Sequence, residues 1–181
     1  INPLNNNFNL NQRLRNFKFN ILPSIDEKKR IENKNTIKRI FTFFGGYDFK
    51  KIKNKVKNIR VNNVNFLMSY KKNNFYQSMA KSNLVLCSGG LTVFDAIYLN
   101  KIIISVPQYN HQLKNLKALK KKGVISICKI NKNFHINMTK LIEKSLNLTY
   151  KQKNKISKNQ KKIISKNSQI KILKKIYESQ F

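Results

Sequence analysis

Apolar residues fall in short blocks along the chain, and their spacing switches between the period of a strand, two, and that of a helix, roughly 3.6 residues. Arg39–Phe44 (RIFTFF) is a strand-forming run halted by Gly45-Gly46. Phe49, Ile52, Val56 and Ile59 then recur three and four residues apart, which predicts a helix over Phe49–Ile59. Val64–Met68 reads as a short strand and Phe75–Ala80 as a short helix. Leu84–Cys87 is a buried strand, Ser88-Gly89-Gly90 a turn, and a helix opens at Leu91/Thr92 before the strand Ile102–Val106, apolar but for Ser105. Leu113, Leu116 and Leu119 share one face of a helix over Gln112–Lys122, with Gly123 as its C′ residue. Val124–Ile130 is a further strand and Met138–Leu146 a helix. Strand and helix alternate throughout, so the pattern predicts an α/β fold with a parallel sheet.

The two ends read differently. Residues 1–35 are Asn-rich and weakly patterned, with Phe17–Leu22 as one strand candidate before Pro23. This stretch is expected to be a linker or the edge of a missing N-terminal domain. Residues 36–150 form the globular domain. Residues 151–181 are lysine-rich, with apolar residues at 156, 163, 170, 173 and 177 and neither Gly nor Pro, and so predict a basic amphipathic helix. A chain of 181 residues that starts on Ile suits one domain of a longer protein. Its apolar runs fall far short of the ~20 residues that span a bilayer, and it carries no signal-peptide pattern. Cys87 and Cys128 make neither a disulfide framework nor a metal pair, so a reducing, cytoplasmic setting is expected.

Charge complicates the picture. The net charge is +31, which suits a surface that attracts nucleic acid or anionic lipid. Only Arg13, Arg15, Arg30, Arg39 and Arg60 are arginines among the 38 basic residues, whereas Arg leads in reading base edges. Lys, Asn and Ile dominate wherever the chain tolerates drift, as an AT-rich coding sequence produces. Specific nucleic-acid binding is therefore not expected. The scarcity of acids, seven in all, is not explained by that drift and leaves open attraction to anionic membrane or an anionic substrate.

Four motifs recur in a telling order: G-G-Y-D at 45–48, S-M-A-K-S-N-L at 78–84, S-G-G-L-T-V-F-D-A at 88–96, and N-H-Q with a later Asn at 110–115. Together they resemble the C-terminal half of GT-B glycosyltransferase-type proteins. Two groups are nearest: the UDP-sugar hydrolases and SpsG-like proteins of pseudaminic acid and surface-polysaccharide pathways, and the family 28 N-acetylglucosaminyltransferases of peptidoglycan synthesis. The opening I-N-P and the later F-K-F-N-I-L-P-S-I-D resemble the hydrolase group's crossing between domains. The resemblance implies a Rossmann-like parallel sheet with flanking helices. It further implies a two-domain enzyme holding a nucleotide-sugar between its halves, with this chain as the donor half. The groups acting on the sugar would come from the missing N-terminal half, so the chain alone would bind and not catalyse. Two departures stand out. The interval from Gly46 to Asn83 is short for the expected helix, strand, second helix and third strand with their loops, which suggests a trimmed strand–helix unit and puts the sheet's integrity in doubt. Asp95 also stands where the pattern G-G-x-T-x-x-E has Glu.

Each candidate residue has a second reading. Ser88, Gly89, Gly90 and Thr92 would cradle a diphosphate, because a helix N-terminus at the carboxyl end of a strand offers free N–H groups and a favourable dipole. A plain strand-to-helix turn capped by Thr92 is the alternative. Asp95 could accept two ribose hydroxyls, or close a capping box with Thr92. Gly45 and Gly46 leave room for a ligand or the partner domain, with Asp48 as a candidate cap of the next helix. Gln108, Asn110, His111 and Gln112 follow Pro107 at a strand's carboxyl end; in the relatives this loop meets sugar and diphosphate, and the alternative is a polar loop capping its own helix. His111 lacks a neighbouring carboxylate in sequence to orient it as a base. Nothing in the sequence resembles a metal site: there is no Asp-x-Asp pair and no His/Cys cluster. Neither metal nor cofactor is expected, as in metal-independent GT-B enzymes, where helix dipoles and hydrogen bonds steady the leaving diphosphate. The expected function is therefore binding of a UDP-sugar in a hydrolase or glycosyltransferase of cell-surface glycan synthesis, in the cytoplasm or at the inner face of the membrane. The rivals are a non-catalytic basic module for anionic membrane or nucleic acid, and a degraded enzyme fragment.

Overall fold

A computed structural model describes residues 37–68 and 74–164. The expectations for residues 1–35, including the strand at Phe17–Leu22, and for the lysine-rich segment beyond residue 164 lie outside the described residues. Five strands form one parallel sheet: β1 (Lys38–Phe43), β2 (Val64–Leu67), β3 (Leu84–Ser88), β4 (Ile102–Val106) and β5 (Ser126–Ile127), in the order β2-β1-β3-β4-β5. Six helices accompany them: α1 (Ile52–Lys57), α2 (Phe75–Ala80), α3 (Thr92–Tyr98), α4 (Asn110–Lys121), α5 (Phe134–Leu146) and α6 (Tyr150–Ile163).

Strand side chains alternate between two separate cores. Ile40, Leu84, Leu86 and Ile104 face Ile52 and Val56 of α1 and Phe134, Met138 and Ile142 of α5. Phe41, Val85, Cys87 and Ile103 face the other way, onto α2, α3, α4 and the Ile163 end of α6. Burial on both faces explains why β3 and β4 read as near-continuous apolar runs, broken only by the buried Ser88 and Ser105. The short interval after Gly46 holds α1, β2 and α2 in six, four and six residues. The sheet is nevertheless continuous, and among the described residues the interval holds one strand, without the third strand expected there.

Several boundaries differ from the sequence reading for local reasons. The helix expected from Phe49 begins only at Ile52, because Lys51 takes a left-handed conformation (φ 50°) and the Asp48 carboxylate accepts the Lys53 N–H at 2.7 Å. Phe49 consequently leaves the core face and is 56% exposed. The α4 and α5 helices start earlier than expected, at Asn110 and Phe134; Phe134 sits one turn before Met138 in the same core. Gly123 ends α4 at φ +69°, the left-handed C′ position that glycine fills without strain. The strand expected over Val124–Ile130 shrinks to Ser126–Ile127 at the sheet edge.

At its start α6 carries a capping box: Thr149 Oγ1 accepts the Gln152 N–H, and Gln152 Oε1 accepts the Thr149 N–H. Its inner face is fixed by a buried amide, since Gln160 Nε2 donates to the Lys101 and Val124 carbonyls. The Lys101 ammonium is itself buried and donates to the Ala80 and Ser82 carbonyls at the end of α2, where helix carbonyls favour a cation.

One contact fixes where α4 starts relative to β3. A Cβ on Gly89 would lie 2.7 Å from Gln112 Cβ and 3.0 Å from Leu116 Cδ1, whereas one on Gly90 meets nothing within 4 Å. Gly89→Ala is therefore expected to destabilise the protein by about 1–3 kcal/mol through overpacking, and Gly90→Ala to stay within about 0.5 kcal/mol of wild type. Urea unfolding of the two variants checks the contrast; equal stabilities would mean that α4 yields without cost.

Candidate functional site

The strand order reverses direction at β1. From there the chain moves out to β2, then returns across to β3, β4 and β5. In open α/β sheets the crevice outside the carboxyl ends at such a reversal is where ligands bind. Here that crevice lies between β1 and β3, whose ends are level, with Phe43 paired to Cys87. The loops after β1, β3 and β4 gather over it.

The β3 loop is the barest of them. Ser88 closes the strand and is buried, Gly89 lies under α4, and Gly90 faces open space. The N-cap position of α3 is Leu91, itself in a helical conformation, and no side chain caps the helix. The amides of Gly90, Leu91 and Thr92 find no hydrogen-bond partner among the described residues, whereas the Val93 and Phe94 amides bond back to Gly90 and Leu91. Thr92 is the first helical residue and not its cap, so the capping box between Thr92 and Asp95 does not form.

Asp95 is left without the role that the capping box would have given it. Its half-buried carboxylate accepts no hydrogen bond from the described residues, and burial alone pushes its pKa up to about 6. Its position follows from its effects on its neighbours. The Tyr76 phenol on α2 and the Cys87 thiol on β3 are both pushed up, first by burial and then by the Asp95 charge. At neutral pH this is a largely ionised, poorly solvated acid in the first turn of α3, the helix that follows the three free amides. Such perturbed acids in clefts are functional-site candidates on physical grounds.

The β1 and β4 loops are tied together. Gly45 takes φ +95° and releases the chain from β1; Gly46 is open to solvent. Asp48 turns inward to the α1 amide, so it does cap that helix, from three residues before the formal cap; its other oxygen, Oδ1, is buried and unpartnered among the described residues. Gln108 is buried and spans the gap: Nε2 donates to the Phe44 carbonyl at 2.6 Å, and Oε1 accepts the Lys50 N–H at 3.2 Å. Its own N–H donates to Gln112 Oε1 at 2.9 Å. Two of the four residues expected to face a sugar, Gln108 and Gln112, are thus engaged in holding loops. Asn110 and His111 stay exposed at the start of α4.

Residue patterns gave no hint of what this clamp supports. Tyr47, Phe49, Tyr109 and His111 form a row of rings with centroids 6.3, 5.9 and 5.5 Å apart; the last two pairs are near-parallel, at 17° and 7°. The available signal was the alternation Tyr47-Asp48-Phe49 after a glycine pair, which throws both rings outward while the acid turns in. Two clefts of about 360 Å³ flank β5, and neither is lined by any expected site residue. His135, on α5, holds the Lys55 carbonyl at 3.1 Å. Among the described residues no three His, Cys, Asp or Glu side chains gather as a metal site needs, and no helix is long and apolar enough to cross a membrane.

No curated protein sequence matches the chain. Its fold is similar to the crystal structure of MurG from Acinetobacter baumannii, with a TM-score of 0.60 at 15% identity over 83% of this chain and 52% of that one. The chain therefore spans about half the length of that structural relative. The shared fold is a Rossmann-like parallel sheet with flanking helices, as in the C-terminal half of a GT-B protein. Residues 21–176, most of the sequence, match the glycosyltransferase family 28 C-terminal domain, and the chain belongs to that family.

Proposed function

We propose that this chain is the donor-binding half of a glycosyltransferase-type enzyme and that its ligand is a UDP-linked sugar. The observation that carries the proposal is the half-buried Asp95 carboxylate, without a partner among the described residues, in the first turn of the helix that follows the free amides of Gly90, Leu91 and Thr92, at the reversal point of the sheet. The diphosphate lies over those amides, with the Ser88 and Thr92 hydroxyls beside it, and Asp95 accepts the ribose hydroxyls. Gly45 and Gly46 leave the near wall open, and Asn110 and His111 remain for the sugar end. Membership of family 28 supports the donor role.

The reaction of the whole enzyme is displacement at the anomeric carbon, or of the UDP group, by an acceptor hydroxyl or by water. Fixed amides at the leaving diphosphate stabilise the charge that develops as its bond breaks, without a metal. The attacking group and its base come from the opposite half. We place the enzyme in cell-surface glycan synthesis, at the cytoplasmic side. The exposed lysines 151, 153, 155, 158, 161 and 162 of α6 support peripheral contact with anionic membrane. A continuous sheet covered on both faces speaks against a degraded fragment.

Two measurements test this reading. UDP at ~100 times its dissociation constant stabilises by about 2.7 kcal/mol, which for a chain of this size raises Tm by roughly 5–10 °C. CMP and GDP are expected to do much less, and Asp95→Ala to lose most of the UDP effect. No shift with any nucleotide, in a protein that melts cooperatively, contradicts the donor reading. The second measurement follows from the sign of the Asp95 shift. Its pKa is about 6 in the folded state against 3.8 unfolded, so between these values the folded state binds the proton more tightly. Stability from this group is therefore lost as pH rises through the window, by at most about 2–3 kcal/mol. Asp95→Asn is expected to melt higher than wild type at pH 7.5 without ligand, and level with it below about pH 4. A variant no more stable at neutral pH would mean that the carboxylate is not strained.

A further inference from the structure

Tyr47, Phe49 and Tyr109 are 75%, 56% and 39% exposed, although they are among the largest apolar groups of the domain. Three features set them apart from scattered surface aromatics. They are contiguous, each ring within 6.3 Å of the next, and the row ends on His111. They come from two loops, after β1 and after β4, that the buried Gln108 side chain ties together at Phe44 and Lys50. The row is thereby held in place before any ligand arrives, with the inward Asp48 fixing the turn between its first two rings.

We infer that this row is a binding platform for a pyranose ring, which lays its C–H face on the open face of Tyr47, at the exposed end of the stack, and reaches the edge of Phe49 beside it. This rests on the donor reading above. Aromatic faces carry partial negative charge and attract the polarised C–H bonds of a sugar, while excluding water from its apolar side. The polar groups such a ring needs at its edge are present: the two tyrosine hydroxyls, the Asn110 amide and the His111 imidazole each offer hydrogen bonds to hydroxyls. Position argues against a nucleobase. Asp95, the ribose contact of the donor reading, sits beside Tyr76 of α2, which crosses from β2 to β3. Phe75 of the same helix packs on Phe41 and Phe43 of β1 from the face opposite α1; that directs the nucleoside to this face, whereas Tyr47 and Phe49 lie on the loop that leads to α1 on the other. A pyranose could reach the row from two sources, as the sugar carried by the donor or as a separate saccharide that receives it.

The test is aromatic ¹H–¹³C NMR of the full chain, with the ring signals of Tyr47, Phe49 and Tyr109 assigned by Tyr47→Leu, Phe49→Leu and Tyr109→Leu. UDP, UDP-N-acetylglucosamine, UDP-glucose and the methyl glycosides of both sugars are titrated separately, the glycosides to tens of millimolar. The platform requires the Tyr47 and Phe49 signals to move with a saccharide and not with UDP alone. Movement only with UDP-sugars assigns the donor's own ring; movement with methyl glycosides assigns a separate saccharide. The variant Tyr47→Leu/Phe49→Leu is then expected to lose about tenfold or more of the affinity for the responding saccharide while keeping the UDP-induced rise in Tm. Equal movement with UDP and UDP-sugar overturns the platform in favour of base stacking, and no movement with any probe overturns it outright. If UDP neither binds nor stabilises yet a glycoside still moves these rings, the platform stands and the donor reading falls.

Discussion

A parallel sheet has no face that can be left to water. Each connection must cross back over the sheet, and the crossing helices cover it on both sides. In this chain that requirement sets nearly everything else. It makes β3 and β4 apolar on both sides and assigns α1 and α5 to one face and the remaining helices to the other. It also sends every loop that follows a strand to the same edge. The site is a by-product of that arrangement. Residues separated by more than sixty positions, such as Phe44 and Gln108, meet because the strands before them run side by side with β3 between.

At that edge, packing and binding divide the residues between them. Gly89 and Gly90 are neighbours with opposite jobs: the first has no side chain because α4 leaves no room, the second faces open space beside free amides. Gln108 and Gln112 are spent on holding the loops, while Tyr47, Phe49, Asn110 and His111 stay exposed. Asp95 is the residue that the fold serves worst. Its carboxylate is half-buried with no donor among the described residues, an arrangement that costs stability and that binding energy can recover.

Much of this was legible in the chain because the strongest signals are local. Leu84–Cys87, Ile102–Val106 and Phe75–Ala80 could be placed from composition alone, and the Ser88-Gly89-Gly90 turn marked where a helix must open. Sequence could not show which of two plausible bonds forms. Thr92 and Asp95 have capping-box spacing, yet Leu91 occupies the cap, and the difference is a single residue of helix register. Phe49 shows a second kind of failure. It has the spacing of a core residue, but the left-handed Lys51 and the Asp48 cap start the helix three residues later and turn the ring outward. The Gln108 clamp was invisible for a third reason, since it joins loops that only the strand order brings together. The interval after Gly46 is filled by short elements, with helices of six residues, and the sheet closes without the third strand expected there among the described residues.

The proposed donor site depends on one carboxylate, Asp95, that has no partner among the described residues and that a bound ribose would pair. The most direct test is the titration of the Asp95 side-chain carboxyl by ¹³C NMR, in the free protein and with saturating UDP. The account predicts a midpoint near 6 in the free protein and a lower one with UDP, as ribose hydroxyls come to stabilise the charged form. A free-protein midpoint in the ordinary aspartate range, or one that UDP leaves in place, would contradict it.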